Sequence, residues 1–113
     1  MRRALFAFIT IMAAACSETL EPLPLNVTVV PNKSITTLGD TITFHVTAQG
    51  GSLVGLQIDY ADATGDQFAT SGARTASLTF HHAYATAGAY AVTVTVTDGS
   101  AGEKKATTEI HVN

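Results

Sequence analysis

Tyr90-Ala91-Val92-Thr93-Val94-Thr95-Val96-Thr97 is the stretch that decides the fold. Its apolar side chains fall on every second residue, and successive side chains of a strand point to opposite faces. Tyr90, Val92, Val94 and Val96 therefore face a core, while Ala and Thr face solvent. A slip of one residue would expose all four, so the register of this strand is tightly set. The β-branched Val and Thr that dominate it suit a half-buried pleated surface.

Outward from this strand the same period recurs. Leu25-Asn26-Val27-Thr28-Val29 alternates and closes at Pro31-Asn32. Asp40–Ala48 alternates with Ile42, Phe44, Val46 and Ala48 on one face. Gln49-Gly50-Gly51-Ser52 reads as a turn, after which Leu56, Ile58 and Tyr60 share a face. Ala61–Ala73, rich in Gly, Thr, Asp and Ser, reads as a loop with a short edge strand near Gln67–Thr70. Ala76–Phe80 and Thr107–Val112 complete the set. About seven short strands, turn clusters between them and no helix-period segment predict an all-β, antiparallel sandwich of immunoglobulin type over residues 25–113.

The N-terminus has a different grammar. Arg2 and Arg3 precede a short apolar run, Leu5–Ala15, which ends in small side chains before Cys16. A positive start, a short apolar stretch and a small-residue exit are the marks of a secretory signal. The run is too short for a transmembrane helix, which needs about 20 residues. Cys16 is the only cysteine, so no intramolecular disulfide can form. Its position after Ala13-Ala14-Ala15 resembles the lipobox of bacterial lipoproteins, although Ala13 stands where that family usually has Leu. The resemblance implies a signal peptide at 1–15, an acylated Cys16 as first mature residue, and a proline-bearing tether at 16–24. Acyl chains would make the membrane one partner. Ser17, rather than Asp, implies the outer membrane in a cell with two membranes, and otherwise simple export.

The chain has 113 residues, enough for one domain, with 46% hydrophobic and 13% charged residues. The mature part carries four basic residues (Lys33, Arg74, Lys104 and Lys105) against nine acidic ones. With no basic stripe, composition argues against nucleic acid as a partner.

His82-Ala83-Tyr84, followed by Gly88-Ala89-Tyr90-Ala91-Val92-Thr93-Val94-Thr95-Val96-Thr97-Asp98, resembles the His-x-Tyr, Gly-x-Tyr-x-Val-x-Val-x-Val-x-Asp signature of PKD domains. The likeness extends over about residues 25–113. It marks His82, Tyr84, Gly88, Tyr90 and Asp98 as structural motif residues. Independently, Gly88 suits a left-handed turn ahead of the strand, and Tyr90 stands where sandwiches place a tyrosine corner. The family's Trp-x-Phe-Gly-Asp-Gly element corresponds to Ile58-Asp59-Tyr60-Ala61-Asp62-Ala63. Both glycines are alanines here, and alanine tolerates positive φ poorly, which leaves the geometry of that turn open.

Three sets of side chains are candidates for chemistry. Asp59, Asp62 and Asp66 lie near one turn, and hard cations such as calcium take several oxygen ligands. Their spacing lacks the ligand density of a dedicated loop, and Asp62 reads more simply as a turn-bonding residue. His45, His81, His82 and His111 are zinc-type ligands by chemistry, but they fall on different strands. Phe68, in a polar stretch, is the one aromatic read as an exposed anchor or a packing residue. No Ser-His-Asp or paired-carboxylate spacing stands out, so the sequence predicts no enzyme and no cofactor. The PKD resemblance implies a non-enzymatic envelope module contacting a protein or a glycan. The alternatives are a small calcium- or ligand-binding envelope protein, or an accessory subunit of an envelope enzyme or secretion complex.

Overall fold

A computed structural model describes residues 24–113. The expected signal peptide, Cys16 and most of the expected tether lie outside the described residues. The strands are β1 (Asn26–Pro31), β2 (Ile35–Thr36), β3 (Thr41–Asp59), β4 (Gly65–Ala83), β5 (Gly88–Asp98) and β6 (Gly102–Val112).

Two of these, β3 and β4, are 19 residues long and form one antiparallel hairpin. The first half of β3 pairs with β1 on one side and with the second half of β4 on the other, Val46 standing opposite Val29 and Leu78. Its second half pairs with the first half of β4 and with β5, Ile58 standing opposite Asp66 and Val94. β5 continues to β6, and β6 takes a short parallel partner in β2. The result is a single curled sheet whose two ends face each other as the layers of an immunoglobulin-like sandwich.

The alternation read from sequence sets the core. Ile42, Phe44, Val46 and Ala48 from one layer enclose, with Leu56, Ile58, Val92, Val94, Val96 and Ile110 from the other, a single buried cluster. Phe44, Val46, Ile58 and Val94 are wholly inaccessible. Removing such a ring as Phe44 costs about 3–5 kcal/mol, a large part of a domain's total stability.

The structure corrects the sequence-based segmentation in two places. Gln49–Ser52 is a bulged passage inside β3, with register shifts between Gln49 and Leu53 and between Leu53 and Gly55. Ala61–Ala73 is a turn only as far as Thr64, and β4 runs on from Gly65. In the first case Gly-Gly reads locally as a turn, yet the chain there changes layers without reversing. In the second, Gly65–Ala73 lacks alternation because most of its side chains face solvent beside only one neighbouring strand.

The passage at Gly50–Leu53 breaks the β-ladder, and its peptide groups find other partners. Asp98, 4% exposed, accepts the Ser52 N–H on Oδ2 at 2.8 Å. Its Oδ1 accepts the Ser100 N–H, the Ser100 hydroxyl and the Ala101 N–H at 2.9–3.0 Å. Gly99 N–H donates to Ser52 O at 2.9 Å. One carboxylate thus ties the layer change in β3 to the β5–β6 turn. A Cβ on Gly50 would lie 2.6 Å from Asp98 Oδ2 and 2.9 Å from Leu53 Cδ2. Only glycine lets the strand pass this close.

The backbone N–H groups of Ser52, Ser100 and Ala101 hold the Asp98 carboxyl far below the usual carboxylate range. A depressed folded pKa stabilises the protein above the unfolded value of about 4, and that contribution is lost as the pH falls further. Asp98→Ala is expected to lower the melting temperature at pH 7, with the gap to wild type narrowing below about pH 4. Gly50→Ala should cost about 1–3 kcal/mol through overpacking. Thermal melts at neutral and acid pH check both; an Asp98→Ala gap independent of pH would remove the carboxylate from this role.

Candidate functional site

The turn from β3 to β4 gathers most of the residues singled out in the sequence. Tyr60 N–H donates to Thr64 O at 3.1 Å and closes it. Ala61 and Ala63 both have positive φ, +68° and +71°. The turn keeps a glycine-type backbone with alanines in it, at a cost of about 1–2 kcal/mol per residue. Neighbouring side chains hold that conformation. Asp59 Oδ1 accepts the Ala61 N–H at 2.9 Å, and Asp62 Oδ1 accepts the N–H and hydroxyl of Thr64. Tyr84 donates its hydroxyl to Tyr60 O at 2.8 Å.

His82 lies flat on Tyr60, ring centroids 3.9 Å apart and 2° from parallel, and meets the edge of Tyr84 at 4.7 Å. Its Nε2 is 2.7 Å from Asp62 Oδ2. Tyr60 donates its hydroxyl to Asp66 at 2.7 Å. Burial raises the Asp62 pKa, but hydrogen bonds from Thr64 and His82 outweigh it and hold the carboxyl below its ordinary value. Burial, with the nearby Asp62 charge, pushes the Tyr84 phenol up to about 12. Burial and the Asp66 hydrogen bond raise Tyr60 as well. Both phenols stay protonated and serve as donors.

Further along, Tyr84 stacks on Tyr90 at 4.1 Å, and Tyr90 donates its hydroxyl to Thr86 O at 2.6 Å, just upstream. Gly88, at φ +154°, lies under the Tyr90 ring in a backbone conformation suited to glycine. His82, Tyr84, Gly88 and Tyr90 therefore meet at one end of the sandwich, whereas Asp98 acts at the layer change.

The three candidate calcium ligands go separate ways: Asp59 to the Ala61 amide, Asp62 to Thr64 and His82, and Asp66 to Tyr60. The histidines are also apart. His45 lies 3.5 Å from the Thr79 hydroxyl, His81 bonds the Thr43 hydroxyl at 3.1 Å, and His111 sits 2.8 Å from Glu109. Among the described residues no three His, Cys, Asp or Glu side chains form a metal-holding group.

Phe68 is 48% exposed and stands on β4 opposite Leu56. By that pairing its ring lies on the core-side face of the sheet, at the free edge of β4, while Val54, 54% exposed, lines an open groove of about 520 Å³ on the outer face of β4, β3, β5 and β6. Gln57, Gln67, Thr95, Thr97 and Glu103 supply its polar lining, and Gly55 leaves room in it. The sequence flagged Phe68 but not Val54 or the groove. Only the strand register reveals that the Phe68 ring and the groove fall on opposite faces of the sheet.

A curled all-β sandwich with a stacked tyrosine pair at one end is an immunoglobulin-like module. The family model described as "PKD domain" matches residues 26–112, and the chain belongs to the PKD domain family. Solved structures with the same fold include the PKD domain of an M14-like peptidase from Thermoplasmatales archaeon SCGC AB-540-F20. It has 19% identity and a TM-score of 0.69, over 81% of this chain and 98% of that one. The PKD domain of the human VPS10 domain-containing receptor SorCS2 has 19% identity and a TM-score of 0.56, over 81% and 74%. A CARDB domain from Pyrococcus furiosus, solved in complex with di-metal ions, has 16% identity and a TM-score of 0.60, over 79% and 92%. No curated protein matches the chain. Domains of this kind are in general extracellular protein-interaction modules, and PKD domains are non-catalytic.

The left-handed alanines give a direct test of the turn. Ala61→Gly with Ala63→Gly relieves the strain and adds some unfolded-state entropy, for a net gain of about 1–2 kcal/mol. For a domain of this size that is a rise of roughly 5–10 °C in melting temperature. A lower melting temperature in the double variant would show that the turn does not hold this backbone.

Proposed function

We propose that this protein is a non-enzymatic cell-envelope module, anchored through acylated Cys16, whose PKD domain binds an envelope protein or a glycan. The observation that carries the reading is the aromatic ring of Phe68, half-exposed at the free edge of β4. On the outer face of the same sheet, Val54 and the amide, hydroxyl and carboxylate groups of the groove offer a second contact surface. A rigid aromatic anchor with adaptable polar neighbours suits contact with a protein loop or a sugar face. The ionisable cluster at the other candidate site is engaged internally, each carboxylate to a named donor, which favours a structural role for it.

The anchor reading rests on the signal grammar before Cys16 and on the lipobox resemblance. A lone thiol, exported and following three alanines, is placed for acylation, and two or more chains give stable attachment. The outer membrane is the destination in a cell with two membranes. A second reading, an accessory module of an envelope enzyme, draws support from the archaeal PKD domain of similar fold, which comes from a peptidase.

Crosslinking on intact cells, with identification of the linked species, tests the first reading. The wild type is expected to yield a defined partner, and Phe68→Ala to reduce that yield at least about tenfold while its melting temperature stays near wild type. Equal yields from the two would remove Phe68 from the reading. Cys16→Ser should move the protein from the membrane to the soluble fraction; unchanged fractionation would refute the anchor.

A further inference from the structure

Strand β4 pairs with β3 alone along its whole length, and among the described residues nothing pairs with its other edge. Such an edge presents unpaired N–H and C=O groups that can template another strand, and proteins ordinarily blunt it with charge, proline or brevity. The other edges here carry such devices. β1 ends in Pro31, β2 is very short, and the first half of β4 holds Asp66. The second half, Thr75-Ala76-Ser77-Leu78-Thr79-Phe80-His81-His82-Ala83, has no Asp, Glu, Lys, Arg or Pro.

Hydrogen bonding fixes which peptide groups are free. Asn32 N–H donates to Thr43 O, so odd-numbered residues in this part of β3 turn their peptide groups toward β1. Even-numbered ones turn toward β4, where Phe44, Val46 and Ala48 oppose Phe80, Leu78 and Ala76. The alternation of antiparallel pairs then directs the N–H and C=O of Thr75, Ser77, Thr79 and His81 outward. The same edge leaves Ala76, Leu78 and Phe80 only partly buried, although Leu78 and Phe80 pack on the core.

We propose that the second half of β4 is a self-association edge, at which two copies of this chain pair antiparallel about a two-fold axis near Leu78. A two-fold axis perpendicular to the sheet keeps both core faces on the same side, so the two layers join into one continuous sheet. Centred on Leu78, the pairing sets Ala76 of one copy opposite Phe80 of the other, small against large. Ser77 meets Thr79 through the outward peptide groups. The domain is acidic overall, but this segment carries no formal charge to repel its twin. Among possible occupants a second copy is favoured because the strand is its own complement in size, polarity and hydrogen-bond phase. The inference holds whether or not Phe68 finds a partner.

The full chain carrying Cys16→Ser, which removes the native thiol, is the protein to test. Sedimentation is expected to give twice the monomer mass, and added Leu78→Cys to give a covalent dimer on mild oxidation, while Val30→Cys on the β1 edge does not. Thr79→Pro removes an outward N–H and no bond to β3, so it should return the protein to monomer with its circular dichroism intact. Ser77→Glu with Thr79→Glu, which sets like charges opposite each other, should do the same. A monomer at the highest soluble concentration overturns the proposal, as does a dimer that survives both variants. A monomer whose Thr79 crosslinks on cells to a different protein overturns self-pairing while leaving the interaction reading standing.

Discussion

The Asp98 carboxylate is the constraint on which the rest of the structure depends. β3 serves both layers of the sandwich, and a strand that changes layers must break its ladder somewhere. The broken backbone groups have to be paired again, because unpaired peptide groups in a buried place cost about as much as lost hydrogen bonds. Asp98 does this from the end of β5, taking the Ser52 N–H with one oxygen and the β5–β6 turn with the other. Three strands are thereby registered by one side chain. Gly50 is the steric condition for that arrangement, since any Cβ there would occupy the space of the carboxylate.

The opposite end of the domain shows how a strained backbone is held. Left-handed alanines at 61 and 63 persist only where the surroundings over-determine them. Here the surroundings are aromatic as well as polar. Tyr84 fixes the Tyr60 carbonyl, His82 covers the Tyr60 ring, and Asp62 links His82 back to the turn. The His-x-Tyr element at the end of β4 and the tyrosine after Gly88 are thus parts of one clamp on the β3–β4 turn. This is why polar and ionisable residues concentrate at a place where no reaction is assigned.

How much of this was readable in advance follows from the range of each signal. Period-two alternation is local, so the inward faces of β3 and β5 could be read residue by residue, and Ile42, Phe44, Val92 and Val94 are buried as the pattern demands. The motif from His82 to Asp98 could be read because its spacing is fixed within one short stretch of chain. The course of β4 could not, because Gly65–Ala73 is solvated and its strand character comes from pairing with β3 rather than from its own composition. Gly50-Gly51 misled for a related reason: glycine marks both a reversal and a bulge, and only the carboxylate of Asp98, far downstream in the chain, decides between them. Phe68 stands in a polar stretch, and only its pairing with Leu56 shows that its ring lies on the core side of the sheet while Val54 faces outward.

The long hairpin of β3 and β4 also explains why the proposed contact surfaces do not compete. β4 changes layers with its partner, and Ser71 and Gly72, both at positive φ, mark the break. Its first half carries Phe68 and borders the groove; its second half carries the uncharged edge in the other layer. A strand paired at Thr75–His81 would extend the layer of β1 and leave the outer face formed by β4, β3, β5 and β6 open. Two copies joined in this way would present two grooves held by one continuous sheet. Two linked sites would raise the effective concentration of the second binding event without a new contact at either groove. An edge left unguarded on a long strand, while the shorter edges are blunted, is the arrangement such pairing requires.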